Sequence, residues 1–358
     1  MMKVLPYALP AVALLGVVQT LSAQKDVIEW MDGTVTRAAK VTAYDAKEIK
    51  FRASGSEQQR AAHEVKNLNV ESWNEAFGKA GNKSESLIGE ARAVVDKNPF
   101  LAQAVYKRAA DILASDGSVS DALRVLEEID QKLPTSAYAP DYHRRKIEYY
   151  LSRPKPALKD AASAAQKYLD AARTRSWSRA YELDAQLWEI RIKAAQPKAS
   201  RDTYIGELKE LVGKAQGTAD GVAAAAQVHL ADAYRAGKDY ANAKKLYQTL
   251  ADKKGLDGST RARIYLGLGY LASEEAVVAT KPEQVKESHH EAFKRFLQVF
   301  LNTRETANPE LVGEGLYNAA KACEQWGGLP TCGQMAGRLR YRLKYRAPWK
   351  DTSWARKR

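Results

Sequence analysis

Apolar residues follow two rhythms along this chain. Between Asp26 and Glu71 the period is close to two: Val41 and Ala43 alternate with Lys40 and Thr42, Ile49 and Phe51 with Glu48, Lys50 and Arg52, and Leu68 and Val70 with Asn67 and Asn69. Such alternation puts every second side chain on one face of a half-buried strand. Asp32-Gly33 and Ser54-Gly55-Ser56 interrupt it, and Asp32-Gly33 can supply the positive φ angles of a two-residue hairpin turn. The spacing predicts four or five short strands within residues 24–72, forming a curled sheet whose core is too thin to stand without the helices that follow.

From Trp73 the rhythm becomes helical. Leu230, Ala231 and Tyr234 share one helix face, Gly237-Lys238-Asp239 breaks it, and Ala243, Tyr247 and Leu250 form the inner face of a second helix. Small residues at Ala231 and Ala243 let the two helices approach closely. The arrangement recurs: Ala109, Ala110 and Leu113 precede a break at Ser115-Asp116-Gly117, then Ala122, Leu126 and Ile129 follow, with Pro134 at the end. Leu87, Ala91 and Val94, before Pro99, read as the second helix of an earlier pair. Leu266, Gly267 and Tyr270 pair with Ala292, Phe296 and Val299 across a connection from Glu274 to Glu287, and Ala319, Ala320 and Cys323 pair with Cys332, Ala336 and Leu339. Tyr142 to Ala172 and Ser176 to Ala215 are hairpin-like, with their register open.

This unit resembles the tetratricopeptide repeat, whose helix-turn-helix pairs stack into a superhelix. The resemblance implies a mainly α fold: a TPR-like α-solenoid of about six helical hairpins over residues 73–346. Unit spacings of roughly 40 residues against the usual ~34 imply longer helices or turns. A generic α-solenoid without repeat homology gives the same architecture. The strand-rich segment is similar to the small SH3-like or Sm-like barrels that open many exported bacterial proteins.

Composition then narrows the class. The chain has 358 residues, 45% of them hydrophobic and 28% charged, which supports a sizeable core and argues against a disordered chain. Residues 1–23 combine Lys3, the apolar run Ala8 to Val18 and the small pair Ser22-Ala23, the pattern of a secretory signal peptide. An uncleaved anchor is the alternative. The expected location is outside the cytoplasm, periplasmic or secreted, with the chain soluble once the signal is removed.

Few residues point to chemistry. Five histidines are scattered apart from His289-His290, and adjacent helical positions diverge by about 100°, a poor chelate. No HExxH, GxSxG, Walker or GxGxxG spacing occurs. We therefore expect no catalytic residues, no metal and no cofactor. Cys323 and Cys332 lie on the two helices of the last hairpin, and in an oxidising compartment facing cysteines at that spacing should form a disulfide; a free buried pair is the alternative.

The net charge of +13 is concentrated at the C-terminus, where nine basic residues between Arg338 and Arg358 face one acid, Asp351. Arg338, Arg342, Tyr341 and Tyr345 on the last helix, with Trp349 and Trp354 in a basic aromatic tail of residues 347–358, suit an anionic lipid or polysaccharide of the cell envelope. Packing of these aromatics on the preceding hairpin is the bland alternative. Nucleic acid is a poor partner for an exported chain. The leading expectation is a non-catalytic interaction scaffold that binds a peptide or protein on the concave face. Its expected contacts project from first helices: Lys107, Asp111, Asp232, Arg235, Lys321 and Glu324.

Overall fold

The computed structural model describes residues 26–81, 83–153, 155–197, 199–304, 308–327, 332–346 and 352–357. The signal-peptide segment and Trp349 lie outside them. The chain is mainly helical, with one small N-terminal sheet.

Strands β1 (Asp26–Trp30), β2 (Val35–Tyr44), β3 (Glu48–Ala53), β4 (Ser56–Ala61) and β5 (Val65–Asn69) are ordered β4-β3-β2-β1-β5, every neighbour antiparallel. The alternation seen in the sequence is realised: Ile28, Trp30, Ile49 and Phe51 point inward and are fully or almost fully buried. Turn chemistry differs from the expectation at one place. The two-residue turn falls at Ser54-Gly55, where both residues have positive φ, as a type I′ turn requires. Asp32-Gly33 instead sits in the longer connection 31–34, held by Asp32 Oδ1 accepting from the backbone N–H and the hydroxyl of Thr34.

A bulge at Ala38, whose φ is +53°, shifts the β1–β2 register and bends β2. The sheet is not the closed barrel expected, because β4 and β5 do not pair and a 3-10 turn, Ala62–Glu64, joins them. Helices finish the job: the sheet's core includes Val70, Trp73, Phe77, Phe100, Leu101 and Ala104, so apolar surface that a barrel would bury within itself is buried against helices. Buried Asp26 fastens the junction by accepting from the N–H groups of Val41 and Glu71.

Among the described residues fourteen α-helices follow: α1 (Glu71–Ala80), α2 (Ser84–Val94), α3 (Pro99–Ser115), α4 (Val119–Lys132), α5 (Ala139–Leu151), α6 (Leu158–Thr174), α7 (Arg179–Ala194), α8 (Arg201–Ala215), α9 (Asp220–Ala236), α10 (Tyr240–Ala251), α11 (Gly258–Val278), α12 (Pro282–Thr303), α13 (Pro309–Trp326) and α14 (Cys332–Tyr345). Side-chain caps start several of them. Asn98, Ser200, Asp239, Asp257 and Asn308 each accept a backbone N–H from the first turn, and Pro99 and Pro309 occupy a position where no N–H is needed.

Each helix packs against the next, giving seven pairs rather than about six. The two stretches of open register are α5–α6 and α7–α8. The connection expected from Glu274 to Glu287 shrinks to 279–281, because α11 and α12 extend through it. Among the odd-numbered helices, α7, α9, α11 and α13 also pack on one another in succession, as α1 does on α3. They form an inner layer, with the even-numbered helices outside. Inner and outer helices meet through small residues: Ala231 and Ala243 are fully buried, and a Cβ at Gly267 would lie 2.2 Å from the ring of Tyr247.

The sheet rests on the inner layer. The Ala46 N–H donates to the Thr135 carbonyl at 2.8 Å, the Ser178 N–H donates to the Ala46 carbonyl at 3.0 Å, and Gln103 Nε2 donates to the Tyr44 carbonyl at 2.8 Å. Farther along, the loop before α11 meets the 31–34 turn at Gly255, whose φ is +74° and whose missing Cβ leaves room for the Met31 carbonyl. Small surface units have too little core to stand alone, and here the missing burial is supplied by the helices.

Candidate ligand cavity

Between the sheet and the inner layer lies a cavity of about 1030 Å³. Its helical wall is drawn from odd-numbered helices and the loops that lead into them, with Tyr181, Trp188 and Arg191 from α7, His229 from α9 and Arg263 from α11. The facing wall comes from the 31–34 turn, Arg60, the 3-10 turn and β5. A volume of this size is at the upper end of the ~300–1,000 Å³ usual for ligand sites.

One end of the cavity is neutralised by ion pairs. Lys107 Nζ bonds Asp111 at 2.6 Å, and Arg145 bonds the same carboxylate at 2.7 Å. Burial would raise the Asp111 carboxyl, but these two cations outweigh it and hold the group below its ordinary range. Next along α5, Arg144 Nε meets Asp184 at 2.9 Å while its guanidinium lies over the Tyr181 ring, 5.4 Å from the centroid. Tyr168 donates to Asp184 as well, at 2.9 Å. Every charge in this ladder has a partner, so it fixes α3, α5 and α7 relative to one another.

The other end differs. Arg191 and Arg263 line the cavity, and among the described residues neither has a carboxylate oxygen within the 4.0 Å of an ion pair. Arg191 lies against the Trp188 ring, 3.8 Å from its centroid. Burial and the like charge of Arg263 push the Arg191 guanidinium down to about 9, which leaves it charged at neutral pH. Burial, with the same two cations, drives His229 well below its ordinary value, so its ring is neutral. Glu148 feels both arginines, yet burial dominates and raises its carboxyl. Glu148, Asp184, Asp232 and Glu314 thus act on these arginines without an ion-pair contact to either among the described residues.

Of the six residues expected to touch a partner, the structure brings two to the cavity, Lys107 and Asp111, both engaged in the ladder. Asp232 accepts from Tyr247, and Arg235 pairs with Glu274 at 2.7 Å beneath the Tyr270 ring. These bonds tie α9 to α10 and α11. Lys321 is exposed on α13, away from the cavity, and Glu324 forms two bonds to Arg340 of α14 at 2.6 and 2.7 Å.

The residues that sequence reading missed are Arg144, Glu148, Arg191, His229 and Arg263. A signal was there: Arg191 lies between Ile190 and Ile192, His229 between Val228 and Leu230, and Arg263 between Ala262 and Ile264, flanking residues that are all buried. Charged groups set among buried apolar neighbours need a reason.

At the C-terminal end, Arg338, Tyr341 and Arg342, with Gln334, Gly337 and Arg346, line a surface hollow of about 540 Å³. Tyr341 and Tyr345 are 57% and 56% exposed, with ring centroids 4.9 Å apart. Trp354 does not join this face: it packs on Tyr317 at 5.4 Å, and Lys357 covers its ring. Its segment is anchored by Ser353, whose N–H and hydroxyl donate to Glu310.

Cys323 and Cys332 are brought together in the core of the last helix pair, both buried and both thiols, with Cys323 Sγ 3.8 Å from the Cys332 carbonyl. Burial and the neighbouring sulfur push the Cys323 thiol up to about 12, an unreactive group at neutral pH. His290 stacks on Trp326 at 4.1 Å, and among the described residues no three His, Cys, Asp or Glu side chains are grouped to hold a metal ion. No helix among those residues is long and apolar enough to cross a membrane.

No protein family matches the chain, and no curated protein does. Among solved structures it is similar to BtubC (BKLC) from P. vanneervenii, with 14% identity over 77% of this chain and 94% of that one and a TM-score of 0.31. A likeness that loose carries no argument about fold or function.

Proposed function

We propose that this chain is an exported, non-catalytic binding protein: a TPR-like α-solenoid that holds a peptide, or an extended segment of a partner protein, between its inner helices and its β module. The observation that carries this reading is the cavity of about 1030 Å³ bounded by odd-numbered helices on one side and the sheet on the other. Mixed charges on its wall suit a polar chain better than a uniformly charged polymer. The sequence of helix pairs with small residues at their close contacts supports the repeat assignment. An SH3-like reading of the β module is supported by the strand order, the bent β2 and the 3-10 turn before the last strand.

Gly221 lines the cavity and has open space around the position of a Cβ. Gly221→Trp should place a large side chain at the cavity lining, from a position where an added Cβ meets nothing within 4 Å. We expect fluorescent ten-residue peptides to bind the purified wild-type chain in a polarisation assay. The variant should bind them at least ~10-fold more weakly with unchanged thermal stability. Unchanged binding would count against the cavity as the site.

A second reading has its own observation. The exposed Tyr341 and Tyr345, beside Arg338 and Arg342, form a basic aromatic face fit for anionic lipid or polysaccharide. Co-sedimentation with phosphatidylglycerol vesicles at low salt, lost in Arg338→Gln/Arg342→Gln, supports that face; equal pelleting of wild type and variant removes it.

A further inference from the structure

Among the described residues, two guanidinium groups share one cavity with no carboxylate in ion-pair contact, although the lining of that cavity pairs Lys107, Arg144 and Arg60 with acids at hydrogen-bond distance. A ligand oxyanion in direct contact would satisfy guanidinium donors that the cavity's own carboxylates do not reach. Arg191 is already oriented by the face of Trp188, so little side-chain freedom is left to lose on binding. A planar guanidinium offers two parallel N–H groups to a carboxylate or phosphate, and two such groups from different helices can grip one oxyanion from two sides. Glu148 and Asp232 act on both arginines, and Glu314 on Arg263, all from beyond ion-pair contact, which leaves guanidinium donors free to serve another acceptor.

We propose that Arg191 and Arg263 form the anchor for an oxyanion of the bound ligand, a carboxylate or phosphate carried by the peptide or partner segment. This assignment rests on the cavity being the binding site. It gives the ligand a charge and an orientation: the acidic group lies deep, against α7 and α11, and the remainder runs past the Arg144–Asp184 ladder.

The test uses the purified chain in buffer free of other oxyanions, with inorganic phosphate, succinate and potassium chloride compared at matched ionic strength by calorimetry and thermal shift. Phosphate or succinate should bind saturably where chloride does not, and the stronger of the two identifies the group. Arg191→Gln and Arg263→Gln should each weaken that binding ~10-fold or more, Arg263→Lys should recover part of it, and Lys167→Gln, exposed on α6 and outside the cavity, should change nothing. Circular dichroism of each variant checks that it is folded, and a variant that is not is replaced by its lysine counterpart.

Saturable anion binding that the double glutamine variant retains, or none above chloride, overturns the anchor. The same variants are then tried with acidic and neutral fluorescent peptides. Peptides that bind wild type and double variant equally, with no preference for acidic residues, overturn the anchor and leave the cavity reading intact. Anion binding dependent on both arginines, with no peptide bound at any charge, upholds the anchor and overturns the peptide reading.

Discussion

Seating of the β module on the loop before α11 can be probed at one atom. Gly255 has φ +74°, and an added Cβ would stand 2.2 Å from the Met31 carbonyl oxygen. Two costs therefore accompany Gly255→Ala. An L-residue in the left-handed region loses roughly 1–2 kcal/mol. Relieving the overlap means moving the 31–34 turn by about an ångström, and crowding of that kind adds roughly 1–3 kcal/mol. Gly217→Ala separates the two, because Gly217 also has positive φ (+77°) but open space around its Cβ position. In urea titrations the Gly217 variant should lose about 1–2 kcal/mol and the Gly255 variant about 1–3 kcal/mol more. Amide exchange adds a local check, since the Met31 N–H donates to the Glu64 carbonyl. That amide should exchange faster in the Gly255 variant and not in the Gly217 variant. Equal losses in the two variants, with Met31 protection unchanged, would refute the contact.

Other outcomes follow from the same reasoning. Burial would raise the Asp130 carboxyl, but bonds from His143 and Arg175 hold it below its ordinary range. A carboxyl so lowered contributes stability above the unfolded value near ~3.9 and loses it as pH falls through the folded one. Asp130→Asn should accordingly cost about 2 kcal/mol at neutral pH, with the gap to wild type closing below about pH 4 in chemical denaturation; a gap independent of pH contradicts the assignment. Gly269→Ala drives a Cβ to within 2.6 Å of Phe296 across the α11–α12 contact; the overlap costs about 1–3 kcal/mol and helix propensity offsets about 1 kcal/mol of it, for a net loss of up to about 2 kcal/mol. If export places the chain in an oxidising compartment, protein isolated from there and unfolded without reductant should show no thiol reactive to Ellman's reagent, the Cys323–Cys332 bond stabilising the last pair by about 2–3 kcal/mol. Two reactive thiols would contradict it.

Architecture was largely legible in the sequence because periodicity records burial. The breaks at Gly237 and Gly117 and the small residues Ala231 and Ala243 mark α9–α10 and α3–α4 in the sequence itself. The α5–α6 and α7–α8 pairs were harder because their inner helices face the sheet across the cavity. In α5, Arg144, Arg145 and Glu148 interrupt the stripe made by Tyr142 and Ile147, and a stripe so interrupted no longer announces a register. Placement of the sheet was not legible at all. The bonds that seat it join Ala46 to Thr135 and Ser178, residues far apart in sequence with no periodic signature. For the same reason the expected contacts were drawn from exposed-looking positions on first helices. Asp232 and Arg235 proved to be cross-helix ties, and Glu324 proved to be bound to Arg340. The unpaired cations came from positions an apolar stripe conceals.

Amide hydrogen exchange at Ala46 and Ser178 tests the seating of the sheet most directly, since their N–H groups are the bonds that cross from module to helices. Both amides should be protected as strongly as the interior amides of β3, and both should open together when Gly255→Ala loosens the module. Rapid exchange at Ala46 and Ser178 alongside full protection of Ile49 and Phe51 would mean a module that folds by itself and swings free, and the cavity between sheet and helices would not persist.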